Sequence, residues 1–201
     1  MEQKKKGAII MGCDIHIHTE ILKNVNGTET WVNGDFYKRN PDYSHSEGEE
    51  RYEKVSVFRG RDYRFFSILA DVRSDGNNPY ISQPKGLPKD VTASVEEESE
   101  FWGLDGHSHS YLNLDELKQY IEKYPTVECE GFISQDQADK LDQGISPNSW
   151  CGWTSDKSYV RRKWNTPNNS LENIISALED RGHEMYVYDP KKIRIVFWFD
   201  N

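Results

Sequence analysis

Cysteine is scarce in this sequence: Cys13, Cys129 and Cys151 are the only three among 201 residues, and no two form a CxxC pair. An odd, scattered set excludes a disulfide framework and a structural zinc knuckle. It points to reduced thiols in a cytosolic compartment. Long apolar runs are missing too. No stretch approaches the ~18 residues that a spanning helix needs, which excludes a transmembrane protein and predicts no membrane partner. Lys4-Lys5-Lys6 followed by Gly7-Ala8-Ile9-Ile10-Met11 imitates a signal peptide, but the run soon meets Asp14 and His16, which argues against secretion. Basic charge is also in deficit, with 25 Lys and Arg against 34 Asp and Glu, a formal net charge of −9. Such a chain does not coat nucleic acid by charge alone, although a local basic pocket can still hold a small anion. Lys85-Gly86-Leu87-Pro88 lacks the spacing of a phosphate loop, and Asp136, Asp139 and Asp142 lack the calcium-loop pattern.

What the chain does have is aromatic mass: 6 Trp, 11 Tyr and 8 Phe. Each buries roughly 150–250 Å², which tips a polar composition towards a folded protein. The length suits one domain. Residues 8–22 read as a long strand, with Ile15, Ile17 and Ile21 alternating against Asp14, His16, His18 and Glu20. Asn26-Gly27 offers a hairpin turn into a second strand at Thr30–Val32. Residues 33–56 are polar and read as a long loop or insertion. A short helix is predicted over Asp62–Arg73, and an acidic rim or short helix at Glu96–Glu100. Asn113 with Glu116 forms a capping-box pattern that opens another helix. Ser170 caps a helix carrying Leu171, Ile174, Ile175 and Leu178, with Gly182 as its stop. Met185–Tyr188 and Ile193–Phe199 then read as a hairpin, with Ile193, Ile195, Phe197 and Phe199 on one face. The fold class that fits is α+β, a mostly antiparallel sheet with about three helices in a single domain.

Four of the six histidines fall in two D-x-H-x-H-like patterns, Asp14-Ile15-His16-Ile17-His18 and Asp105-Gly106-His107-Ser108-His109. Strand geometry places His16 and His18 on one face with Asp14. Two imidazoles at i and i+2 can converge on one ion, with a carboxylate as ligand or orienter. The second pair is expected in a loop just ahead of the Asn113 helix. If the clusters meet, His16, His18 and His107 hold a divalent metal (zinc, manganese or magnesium), and Asp14, Asp105 and His109 serve as catalytic groups around an activated water. An H-x-H on a strand is equally the pattern of an ordinary hydrogen-bonded pair, and histidines without metal can also perform acid–base chemistry.

Residues 51–89 carry eight bases against four acids. Arg61 and Arg64, three apart, can share a helix face and clamp a phosphate. Arg161 and Arg162 follow Trp150 and Trp153, an arrangement suited to stacking a base while charge holds its phosphate. A solvated charged face beside core tryptophans is the plainer alternative. Residues 96–142 hold 13 acids and 3 bases. The net acidity is therefore concentrated around the second histidine pair, as a cation site would need.

Taken in order, MGCDIHIHTE (11–20), RDYRFFSILADVR (61–73), PKGLP (84–88), DGHSHSYL (105–112) and IRIVFWFDN (193–201) resemble a family of small bacteriophage proteins that open with Met-Gly-Cys-Asp-Ile-His. The resemblance implies an accessory protein at work in the cytoplasm of an infected bacterium, with residues 1–10 an N-terminal extension and 11–201 the domain. By analogy with phage proteins that remove nucleotide immune signals, it also implies an anti-defence role. DIHIHT, with the later Asp105-Gly106-His107, is further similar to the metal motifs of polymerase-and-histidinol-phosphatase hydrolases. That likeness implies His16, His18, Asp105 and His107 as ligands.

The expected activity is metal-dependent hydrolysis of a phosphoester or nucleotide-like small molecule. The alternatives are a non-catalytic protein that sequesters such a ligand and an acidic inhibitor of a host protein. A homo-oligomer is compatible with either, through the aromatic C-terminal strand.

Overall fold

The computed structural model describes residues 12–200, so the proposed extension at 1–10 lies outside the described residues. Its centre is the last strand of the chain. Ile193–Asp200 has the sequence IRIVFWFD, apolar on both sides of the pleat, and suits a position covered on both faces. It is the third strand of a four-stranded antiparallel sheet. We label the strands β1 (Asp14–Val25), β2 (Thr28–Asn33), β5 (His107–Asn113) and β8 (Ile193–Asp200), in the spatial order β2-β1-β8-β5. The expected hairpin turn at Asn26-Gly27 is present, with both residues at positive φ. Residues 36–39 and 52–55 form a second ribbon, β3 and β4, and Thr126–Ser134 pairs with Tyr159–Pro167 as β6 and β7.

Five α-helices accompany the sheets: α1 (Tyr63–Ala70), α2 (Ala93–Trp102), α3 (Leu114–Lys123), α4 (Gln135–Leu141) and α5 (Asn169–Glu184). The α+β, mostly antiparallel expectation is met, with more helices than the three anticipated. One face of the sheet, Ile17, Ile21, Ile195, Phe197, Phe199 and Leu112, packs on α1, α3 and α5 as the main core. The other presents Val196 and Trp198 to Val95 of α2. Phe197, Trp198 and Phe199 are completely buried within a single chain, so the aromatic strand is core and not an exposed subunit face.

Several expectations are corrected. The polar stretch 33–56 is not all loop, because β3 and β4 pair across it; their residues are mostly exposed and polar, so no apolar alternation marked them. The second histidine pair lies in strand β5, not in a loop, with an irregular register between His107 and Ser110 where Ser108 takes φ 54°. Helix α5 starts at Asn169 and runs through Gly182 to Glu184. Ser170 therefore sits inside its first turn, and its hydroxyl donates to Asp62. Gly182 is there for packing: a Cβ on it would lie 2.6 Å from Ile193 Cδ1 and from the Val187 carbonyl. Met185–Tyr188 does not pair as a strand. Asp189 instead caps a 3-10 turn at Pro190–Lys192 that leads into β8. The capping box of α3 is as expected, Asn113 accepting from the Glu116 amide and Glu116 from the Asn113 amide. No helix of the described residues is long and apolar enough to cross a membrane.

Candidate functional site

Because β8 lies between β1 and β5, the two histidine pairs flank the same strand. In register with β8, His16 faces Trp198 and His18 faces Val196, so both rings stand on the Trp198 side of the pleat. His16 and His18 stack on the Trp198 indole with centroids at 5.4 and 5.1 Å, and His109 stacks on it from the β5 side at 5.6 Å. His107 does not join them. It pairs with Phe199 and stacks on that ring, on the main-core side, with Nδ1 3.0 Å from Ser108 Oγ.

Each ring on the Trp198 face has a partner that the sequence did not disclose. His18, 4% exposed, lies with Nδ1 3.2 Å from Asp35 Oδ2 and Nε2 3.4 Å from Glu98 Oε2. Lys54 Nζ is 3.2 Å from both ring nitrogens, 3.8 Å from Glu98 and 4.0 Å from Asp35. His18 and Lys54 thus meet the carboxylates of Asp35 and Glu98 in one cluster. Burial opposes the charged form of His18, but the bonds to Asp35 and Glu98 outweigh it, and its pKa is raised. The bond to His18, against some desolvation, lowers that of Glu98. His16, nearer the surface, places Nε2 3.3 Å from Asp200 Oδ2 and tilts against Trp102 at 4.2 Å. His109 Nε2 is 2.9 Å from Ser99 Oγ on α2, and burial, with the nearby His107, lowers its pKa.

At the edge of this face Asp14 takes a bidentate bond from Arg61, with Nε–Oδ1 and Nη2–Oδ2 both at 2.6 Å. That bond holds the Asp14 carboxyl below its ordinary range and raises the guanidinium pKa. Arg61 thus reaches the histidine face, and on its other side it lines one cleft with its expected companion Arg64, beside Glu130 and Trp150. Arg64 lies on α1 against the main core, 2.7 Å from Cys129 Sγ, 3.3 Å from Asp62 and stacked over Trp150. Asp105 is exposed in the turn after α2. Arg161, on the separate β6–β7 ribbon, pairs with Glu130 at 2.6 Å, and Arg162 donates to the Arg161 carbonyl. Trp153 is 77% exposed. This region shares no element with the histidine face.

The ligand set His16, His18 and His107 is therefore not assembled at one point. His107 turns to the other side of the sheet, and both nitrogens of His18 face carboxylates with an ammonium beside them. Among the described residues, no three His, Cys, Asp or Glu side chains converge as a metal-holding group. The chemistry the arrangement offers is acid–base: imidazoles oriented by carboxylates, next to an arginine at the rim. Asp35, Glu98 and Asp200 are the groups that sequence reasoning missed; they lie on three other segments and follow no motif. No protein-family model, curated protein or solved structure matches the chain.

Proposed function

We propose that the protein hydrolyses a small phosphoester, a nucleotide-like molecule, at the edge of its histidine face, and that it does so in the cytoplasm of an infected bacterium. The observation that carries the reading is the pairing of His16 with Asp200 beside Arg61. A carboxylate-oriented imidazole, partly open to solvent, stands where a guanidinium can meet a phosphate. In this scheme Arg61 exchanges part of its bond to Asp14 for a phosphate oxygen. His16, oriented by Asp200, takes a proton from the attacking water. The leaving oxygen then receives that proton from His16, while His18, closed off by Asp35, Glu98 and Lys54, holds the face in shape. Roles first expected of Asp105 and His109 pass to His16, since His109 is bonded to Ser99 and Asp105 is exposed in the turn after α2.

A second reading, sequestration without turnover, draws on Arg64 stacked over the half-exposed Trp150, a pairing able to hold a base.

The test is phosphate release by the full chain from a panel of phosphomonoesters, phosphodiesters and cyclic nucleotides, with elemental analysis of the same sample. The expected result is turnover that survives chelation and falls about 100-fold or more in His16→Gln, the usual scale for a general acid or base. Stoichiometric metal with chelator-sensitive turnover would overturn the metal-free scheme. A nucleotide released intact on denaturation, without turnover, would establish sequestration instead.

A further inference from the structure

Arg61 belongs to two places at once. It bonds Asp14 at the edge of the histidine face, and it lines a cleft of about 240 Å³ whose walls include Arg64, Asp75, Glu130 and Trp150. That space is smaller than the roughly 300–1,000 Å³ of a site that encloses a drug-sized ligand, and it suits a single ring system. Two glycines shape it. A Cβ on Gly131 would lie 2.8 Å from Trp150 Cδ1, so the bare position on β6 is what admits the indole. A Cβ on Gly12 would lie 2.3 Å from Arg61 Nη1, and its absence gives the guanidinium room against the backbone.

The walls are not equivalent. Trp150 is 43% exposed, yet it is held in place by Arg64 over its ring at 5.0 Å and by Trp164 edge-on at 5.6 Å. It therefore offers a fixed aromatic surface on which a flat ring can stack. Two of the carboxylates are already engaged. Asp62 caps α1 and accepts from the Ser170 hydroxyl, while Glu130 pairs with Arg161 and lies 3.7 Å from Lys163. Asp75 differs: its Oδ1 accepts from the Asn77 amide, and it makes no ion pair among the described residues. A carboxylate accepts at about four lone-pair positions, so this one has capacity for two further donors.

From this juxtaposition we propose that the cleft binds the base of a guanine nucleotide. The ring stacks on Trp150, and Asp75 accepts from the ring N1–H and the 2-amino group, an adjacent pair of donors that adenine does not offer. The inference rests on the reading that Arg61 meets the phosphate at the histidine face. It places the base of the same molecule on the far side of that one guanidinium.

The experiment is calorimetric titration of the full chain with guanosine and with adenosine. Neither carries a phosphoester, so their binding reads the cleft apart from any turnover. Guanosine should bind saturably, and adenosine at least about tenfold more weakly, the scale of a lost hydrogen bond to a charged group. Asp75→Asn keeps the acceptor for the Asn77 amide, so the turn is preserved. It should weaken guanosine by the same factor and leave adenosine unchanged, while His16→Gln should alter neither. No saturable guanosine binding, equal affinity for the two nucleosides, or unchanged guanosine affinity in Asp75→Asn would each overturn the site. Selective guanosine binding by a protein that releases no phosphate would uphold the site and overturn the hydrolytic reading. Phosphate release without guanosine selectivity would do the reverse.

Discussion

His18 shows how a single side chain acquires a role from groups far away in sequence. Its own motif supplies the ring and its face, because a period of two fixes which side of β1 it occupies. Asp35 lies in the turn after β2 and Glu98 in the middle of α2, and only the folded chain brings them to the two ring nitrogens. No spacing rule joins positions 18, 35 and 98, which is why the site was half legible. The consequence for stability has a definite sign. The folded pKa of His18 is raised above its ordinary value of about 6.5. The ion pairs therefore contribute fully below about pH 6.5, and their contribution is lost as pH rises through the raised value. Denaturant melts across pH 6–9 should show stability declining with pH, and His18→Gln should flatten that slope. A His18→Gln protein with the wild-type slope would show that another group titrates there.

Among the elements, α2 depends most on a buried connection. It is short and acidic, and it touches the second sheet face through little apolar surface beyond Val95 and Trp102. What ties its start to the sheet is Arg194 on β8. That side chain, 4% exposed, bonds Glu20 of β1 at 2.7 Å and Asp90 at 2.9 Å, and lies over the Trp31 ring at 3.8 Å. The other oxygen of Glu20 accepts from the Thr92 amide, immediately before the helix. Removing Glu20 leaves the buried guanidinium with only the exposed carboxylate of Asp90, so the loss approaches the lower end of the roughly 3–5 kcal/mol seen when a buried pair is broken. Glu20→Gln should therefore destabilise the protein by that order in urea melts, whereas Glu20→Leu with Arg194→Met together should lose much less. Equal losses in both would show that packing, not the unpaired charge, sets the cost. Sequence patterns read elements with local signatures well, such as the Asn113–Glu116 box. They misplaced the start of α5, because Ser170 gives its hydroxyl to Asp62 at the start of α1 and leaves the cap position to Asn168.

At the scale of the whole molecule, the chain closes its sheet with its last strand. β1 and β5 are not paired with each other; each pairs with β8, and α2 bridges them on one face through Glu98, Ser99 and Trp102. The sequence disclosed that Ile193–Phe199 was apolar and alternating. Its central position was not legible, because a strand buried on both faces and a strand at a subunit contact read alike, and the hairpin partner suggested by proximity, Met185–Tyr188, was the wrong one. The arrangement makes the meeting of His16, His18 and His109 depend on β8, since Trp198 is the surface on which all three stack. Pairing residues 14–21 with 193–200 closes a long loop of chain, whose entropy must be met before those contacts form. A chain ending at residue 192 leaves β1 and β5 each with an unpaired edge and removes Phe197, Trp198 and Phe199 from the core. It should show no cooperative thermal transition by circular dichroism, and adding a peptide of residues 193–201 should restore one. A truncated chain that melts cooperatively at the full-length temperature would mean that the remaining strands form a core without it, and that the histidine face is assembled by something other than β8.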